Sequence, residues 1–324
     1  MDAPSDPGLD LITRLPRRIR LDEHWLQRND RGFVWWPHRL AQRVWSEPLV
    51  DYHGTSVSRV HIETDVLRDI ERRAEAVDAL VPLNRVASLS HLAIDRSGWL
   101  RLHASLAVTS ENLNLVGPLA VHVLSLQAAD AHVKAAPLSE FLSAPIADSR
   151  HPTHGARSQP DDLLDALAYY ADKGRGDSPY TAIDIAQLTL MQPRPWVMAR
   201  SGGDGLDAEL PFTGERPSIL SGSGGAPETA LLQIRPAHRH PQLGAGALLR
   251  LALPARAPAA IANDLNLAEA HAPEGHQLGA WTIDRENLAF YTFLPAVAFT
   301  EDIIPTLIWH AAARALWART RLLP

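Results

Sequence analysis

One pattern occurs twice in this chain, and the repetition constrains the fold more than any other feature. Ile94-Asp95-Arg96-Ser97-Gly98-Trp99-Leu100-Arg101-Leu102 reappears as Ile283-Asp284-Arg285-Glu286-Asn287-Leu288-Ala289-Phe290. Each copy runs on through a second apolar segment to a threonine, Thr109 or Thr300, that is suited to start a helix. A divergent internal duplication predicts that one hairpin-plus-helix unit is built twice. The 324 residues exceed a typical single domain, which agrees with two units, 1–150 and 151–324. Their joint falls at about 143–160, where Pro, Ser, Arg and His occur without apolar periodicity.

Within the first unit, Gly32 to Pro37 and Gln42 to Val50 read as short strands. Val57 to Glu63 alternates, with Val60 and Ile62 on one face and Arg59 and His61 on the other. Thr64 is placed as the N-cap of a helix carrying Leu67, Ile70, Ala74, Val77 and Leu80 at helical spacing. Leu89 to Asp95 and Trp99 to Val108 form a hairpin over Ser97-Gly98, and Thr109 caps a helix to about Val133. Asp161 to Lys173 reads as a helix stopped by Gly174.

The second unit repeats the order. Strands are expected at 196–200, 206–212, 229–234 and 247–253, with loops at 201–205 and 221–227. A helix starting near Pro258, a hairpin of Leu278–Asp284 with Leu288–Leu294, and a closing helix capped by Thr300 follow. That last helix has an apolar stripe of Ile304, Leu307, Ile308, Ala311, Ala315 and Leu322, and Arg314, Arg319 and Arg321 complement its negative end. Leu83-Asn84 has a counterpart in Leu265-Asn266. Hairpins adjacent in sequence imply an α+β class with antiparallel sheets rather than a doubly wound fold.

Strands, a central helix, a hairpin and a terminal helix in this order resemble the class I type III secretion chaperones of bacteria and the YbjN-like sensory-regulator family. Leu265-Asn266, Leu278-Gly279-Ala280-Trp281-Thr282-Ile283-Asp284 and Phe293-Leu294-Pro295-Ala296 carry most of the likeness. The resemblance implies a small α+β module that associates in pairs and binds polypeptide or regulates partners without catalysis. One chain holding both copies would be a covalent pseudo-dimer. The chain departs from the secretion chaperones in its length, in the extra 161–173 helix and in its moderate acidity.

Composition narrows the chemistry. A net charge of −6 gives no basic field, so nucleic acid is not an expected partner. The absence of cysteine removes disulfides, thiolate metal sites and thiol nucleophiles. The N-terminal stretch has no secretion-signal pattern and no apolar run approaches a membrane span, so a cytoplasmic protein without membrane insertion is expected.

Fifteen histidines include His151 with His154 and His238 with His240, but two close histidines supply at most half of a tetrahedral site. No metal or other cofactor is therefore expected. His91, His103, His122 and His132 are assigned hydrogen-bonded structural roles. Asp95 and Asp284 precede hairpin turns and are assigned to accept turn N–H groups. The glycine stretches lack the phosphate-loop ending, and no nucleophile elbow is present.

With no catalytic motif, the chain is expected to be a non-enzymatic adaptor or chaperone-like module for a protein partner. The alternative is an enzyme or ligand-responsive regulator with a site between the units. Among nine tryptophans, Trp35, Trp36 and Trp45 are the candidate partner-binding residues. Adjacent Trp35 and Trp36 cannot both point to one face of a strand, so at least one is expected to be exposed or buried against the other unit.

Overall fold

The computed structural model of the chain describes residues 6–182, 198–202, 205–212, 229–272 and 275–322. It is a mixed α+β structure with two antiparallel sheets. The first half contains α1 (Pro7–Arg18), β1 (Leu26–Asn29), β2 (Gly32–Trp35), β3 (Gln42–Ser46), β4 (Val50–Tyr52) and β5 (Thr55–Leu67). It continues with α2 (Arg73–Leu80), β6 (His91–Ile94), β7 (Leu100–Val108) and α3 (Leu113–Leu142). After α4 (Ala166–Lys173) come β8 (Met198–Gly202), β9 (Gly205–Pro211), β10 (Thr229–His240) and β11 (Gly244–Arg256). Last are α5 (Ala259–Glu269), β12 (Ala280–Asp284), β13 (Asn287–Pro295) and α6 (Ile303–Leu322). Among the described residues no helix is long and apolar enough to cross a membrane.

The first sheet runs β1-β2-β3-β5-β7-β6, with β4 added to β5, and the second runs β8-β9-β10-β11-β13-β12. Strand for strand the orders match. Both repeated hairpins lie at a sheet margin, with β6 and β12 as the outer strands. Their turns differ: Gly98 supplies the positive φ of one, whereas Arg285 and Glu286 both have positive φ in the other.

Several expected elements shift. Thr64 does not cap a helix. It stays in β5, opposite Gln42 and Leu102, and its hydroxyl donates to Gln127 Oε1 of α3 at 3.0 Å. Pairing on both sides holds β5 extended as far as Leu67, so the following helix is confined to Arg73–Leu80. α3 reaches Leu142 rather than Val133 and ends at Ser143, which has φ of 51°. Its start is a reciprocal cap: Thr109 N–H donates to Asn112 Oδ1 and Asn112 N–H donates to Thr109 Oγ1. At α6 the Thr300 carbonyl accepts the Ile303 N–H, whereas its hydroxyl is buried without a partner. Arg314 does not decorate the helix end but is buried in an ion pair with Glu269 at 2.6 Å.

Side-chain amides close the two outer strands. Asn84 accepts the Leu92 N–H and donates to the Leu92 carbonyl, both at 2.9 Å. Asn266 does the same to Trp281, at 2.7 and 3.0 Å. The sequence pairing of Asn84 with Asn266 is thus a pairing of function. The next clamps cross between sheets: Asn263 holds the Ile94 N–H and carbonyl at 2.9 Å each, and Arg85 Nε donates to the Ile283 carbonyl at 2.9 Å. Thr282 Oγ1 also donates to the Val81 carbonyl at 2.7 Å. α2 and α5 pack against each other at this junction.

Truncating a clamp strands a buried N–H and a buried C=O together, so Asn84→Ala and Asn266→Ala should each cost about 2 kcal/mol or more. Asn114→Ala on the exposed face of α3 should stay within about 0.5 kcal/mol of the parent. Urea denaturation checks this, and equal losses for all three would contradict the clamp.

Candidate functional site

Strand alternation sorts the first sheet into two faces. Gln127 of α3 bonds Gln42, Thr64 and the Ile62 carbonyl, which fixes those residues on the helix-covered face. The intervening positions face the other way: Trp45 opposite His61 opposite Ser105, and Arg43 opposite Glu63 opposite His103, with His91 across from His103. This face is polar, yet His61, His91, His103 and Arg59 are all buried. The expectation of a one-sided β5 is therefore corrected.

The cover comes from the second half. From Asn266 to Trp281 is 15 residues, against 8 from Asn84 to Leu92. The extra length lets the connection after α5 reach the first sheet, where Gln277 and Ser105 exchange backbone hydrogen bonds at 2.8 and 3.2 Å. His276 Nδ1 accepts the Ala107 N–H at 3.1 Å. Arg59 donates to Ser105 Oγ at 2.9 Å and to the Gly275 carbonyl at 3.2 Å. Behind this tongue, Glu269 binds Arg314 and accepts the Trp281 indole N–H, each at 2.6 Å. Gly279, at φ of +125°, permits the exit, since a Cβ there would lie 2.1 Å from the Tyr291 carbonyl oxygen.

Under the tongue a chain of imidazoles begins at one carboxylate. Glu47 Oε1 lies 2.9 Å from His61 Nε2 and 2.8 Å from His271 Nδ1. His61 stacks on Trp45 at 4.7 Å, and its Nδ1 is 3.1 Å from His103 Nε2. His91 and His103 have ring centroids 5.3 Å apart, and the Nδ1 of each is buried without a hydrogen bond. Partial burial opposes ionisation of Glu47, but the bonds from His271 and His61 outweigh it and hold the carboxyl below its ordinary range. Burial lowers His61 to about 4 against the pull of Glu47, lowers His91 to about 3, and holds His103 well below its usual value. An ionised Glu47 can only accept, so His61 carries its proton on Nε2, and its Nδ1 accepts from His103 Nε2–H. His103 Nδ1 is left as a bare buried lone pair.

A second feature lies at the junction of the sheets. A groove of 640 Å³ is lined by Val81, Pro82, Ala257, Pro258, Ala259 and Ile283, with Asp78, Arg85, Arg256 and Glu286 among them.

The candidate tryptophans separate. Trp35 is 0 % exposed and Trp36 5 % exposed. Trp36, just beyond the end of β2, is covered by the segment after α3: its indole donates to Ser149 Oγ at 3.0 Å and it packs edge-on to His151 at 4.8 Å. Neither offers a surface to a partner. Trp45 is half-buried and belongs to the histidine cluster.

Of the expected turn carboxylates, Asp95 accepts the Ser97 and Trp99 N–H groups at 2.9 and 3.0 Å. Asp284 instead binds Arg250 and the Tyr291 hydroxyl. His151 Nδ1 accepts backbone N–H groups of Thr153 and His154, and His240, at the end of β10, uses both ring nitrogens on backbone partners. Segment 221–227 lies outside the described residues. Local spacing could not reveal Glu47 and His271, which meet from 224 residues apart.

Burial also keeps His310 at about 3. Histidines held neutral when folded but free to charge when unfolded make the unfolded state bind more protons, so stability falls as pH drops below about 6.5. For His61, His91 and His310, each should cost about 1 kcal/mol by pH 5.5 relative to pH 7.5, above the range where most carboxylates titrate. Denaturant midpoints measured over that window should decline, and a flat profile would contradict the buried neutral cluster.

Comparison with protein-family models, with curated proteins and with solved structures finds no match to this chain, so its functional reading rests on this geometry.

Proposed function

We propose that the chain is a non-enzymatic, chaperone-like adaptor that holds a polypeptide partner, built as two tandem copies of one α+β unit joined as a covalent pseudo-dimer. The observation that carries the reading is the exchange of clamps. Asn84 on Leu92 and Asn266 on Trp281 stand at matching places in the two halves, and the matching residues Ile94 and Ile283 are each bonded from the opposite half, by Asn263 and by Arg85. The matching strand orders support the same pairing. A chain that fuses two like units and buries their inner strand edges in each other gains a junction surface that neither unit has alone.

That surface is the groove floored by Val81, Pro82, Pro258 and Ile283, large enough for a few side chains of an extended segment. Its apolar residues supply desolvated contact, and charges of both signs beside them suit a partner segment of mixed charge. Trp35 and Trp36 take no part, and Trp45 lies on the seam rather than in the groove.

A second reading, an enzyme or ligand-responsive regulator with a site between the units, is favoured by one observation: Glu47 and His61 from the first half converge with His271 from the second.

The groove is tested with Pro82→Glu/Pro258→Glu, both at exposed positions. Wild-type protein isolated from its native cells should retain a stoichiometric polypeptide that the double variant loses, with melting temperature unchanged. Identical polypeptide content for the two proteins would contradict the groove as the binding surface.

A further inference from the structure

We propose that Glu47, His61 and His271 bind one zinc ion at the seam between the sheets. One ligand atom from each of the three lies within 4.8 Å of the other two. They come from three separate segments: the stretch after β3, the middle of β5, and the connection after α5. Two imidazoles and one carboxylate are a donor set that zinc takes in three-ligand sites, leaving a fourth position for water or another ligand.

The present separations of 2.8 and 2.9 Å are hydrogen-bond distances. A tetrahedral ion about 2.1 Å from each donor needs donors about 3.3 Å apart, a spreading of roughly half an ångström. The mobile partners can supply it: the side chains of His271 and Glu47 are 65 % and 35 % exposed, whereas that of His61 is 0 % exposed and pinned by Trp45 and His103. One ligand is fixed and the two more exposed side chains shift outward around the ion.

The ring behind His61 points to the same conclusion. A metal on His61 Nε2 requires the proton on Nδ1, donated to His103 Nε2, and His103 must then carry its own proton on Nδ1. Both rings stay neutral and only their tautomers change. That is permitted because His103 Nδ1, on a residue 6 % exposed, has no partner that dictates lone pair or proton. A metal-binding histidine ordinarily donates its second ring N–H to an acceptor that fixes the ring, and His103 Nε2 would be that acceptor here.

The donor set, two imidazole nitrogens and one carboxylate, selects among metals. Arg59 is buried beside His61 and directed to Ser105 Oγ and the Gly275 carbonyl, so its charge offsets that of Glu47. Hard cations such as calcium and magnesium, which need several oxygen ligands, are disfavoured, and borderline nitrogen-binding metals are preferred. The site is separate from the junction groove and stands or falls independently of polypeptide binding.

The test uses tag-free, full-length, metal-free protein titrated with zinc against a chromophoric chelator, and with cobalt(II) as a spectroscopic probe. One equivalent of zinc should bind, and cobalt should give the intense visible bands of a four-coordinate site. His271→Ala, at an exposed position, should weaken zinc binding about a hundredfold and abolish those bands with its melting temperature preserved. Glu47→Gln should also weaken binding, whereas His154→Ala, in the surface histidine pair, should change nothing. Absence of a stoichiometric site, binding unaffected by His271→Ala, or binding lost only in His154→Ala would each overturn the proposal.

Discussion

A strand at a sheet margin exposes a row of backbone donors and acceptors, and satisfying that row is the constraint on which the rest of this structure depends. β6 and β12 are marginal strands, and both are closed by asparagine amides rather than by further strands. An amide presents one donor and one acceptor at the spacing of a peptide group, so a single side chain satisfies an N–H and a C=O together. Asn84 and Asn266 do this within their own sheets, while Asn263 does it across the junction. The association of the two sheets is therefore specified by directional bonds in addition to apolar burial.

With the junction fixed, the longer connection after α5 lies over the polar face of the first sheet. Its bridge to Ser105 converts a face that would otherwise be wet into a buried seam. Burial then sets the chemistry: His61, His91 and His103 are neutral, and among the described residues the carboxylate hydrogen-bonded to the chain of rings is Glu47, at its partly exposed end. The corresponding position to His103 in the second sheet is Tyr291, which joins Arg250 and Asp284 instead. The two sheets thus carry different polar networks, one around His103 and one around Tyr291.

Much of the scaffold was legible in the sequence, because hairpins and amphipathic helices are local patterns. Both repeated hairpins, the stop at Gly174, the helix start at Pro258 and the kinship of Asn84 with Asn266 follow from spacing alone. The errors have one origin, which is tertiary context overriding local preference. Thr64 is a fair helix cap in isolation, but strands on either side and Gln127 above it keep it extended. Arg314 reads as a helix-end cation until Glu269 claims it in the interior. Trp36 lies just beyond the end of β2, and its cover comes from residues more than a hundred positions away, which local spacing does not show. The histidine cluster was not legible because its members share no local spacing.

Native-state amide hydrogen exchange at Leu92, Ile94 and Trp281 tests the central claim most directly. Marginal strands ordinarily exchange through local fraying, but strands clamped at the junction should open only with global unfolding. The three amides should therefore be protected to the same free energy as central β5 and β11, and far more than the open-edged β1. Exchange at Leu92, Ile94 and Trp281 as fast as in β1 would show that the amide clamps do not hold the two sheets together.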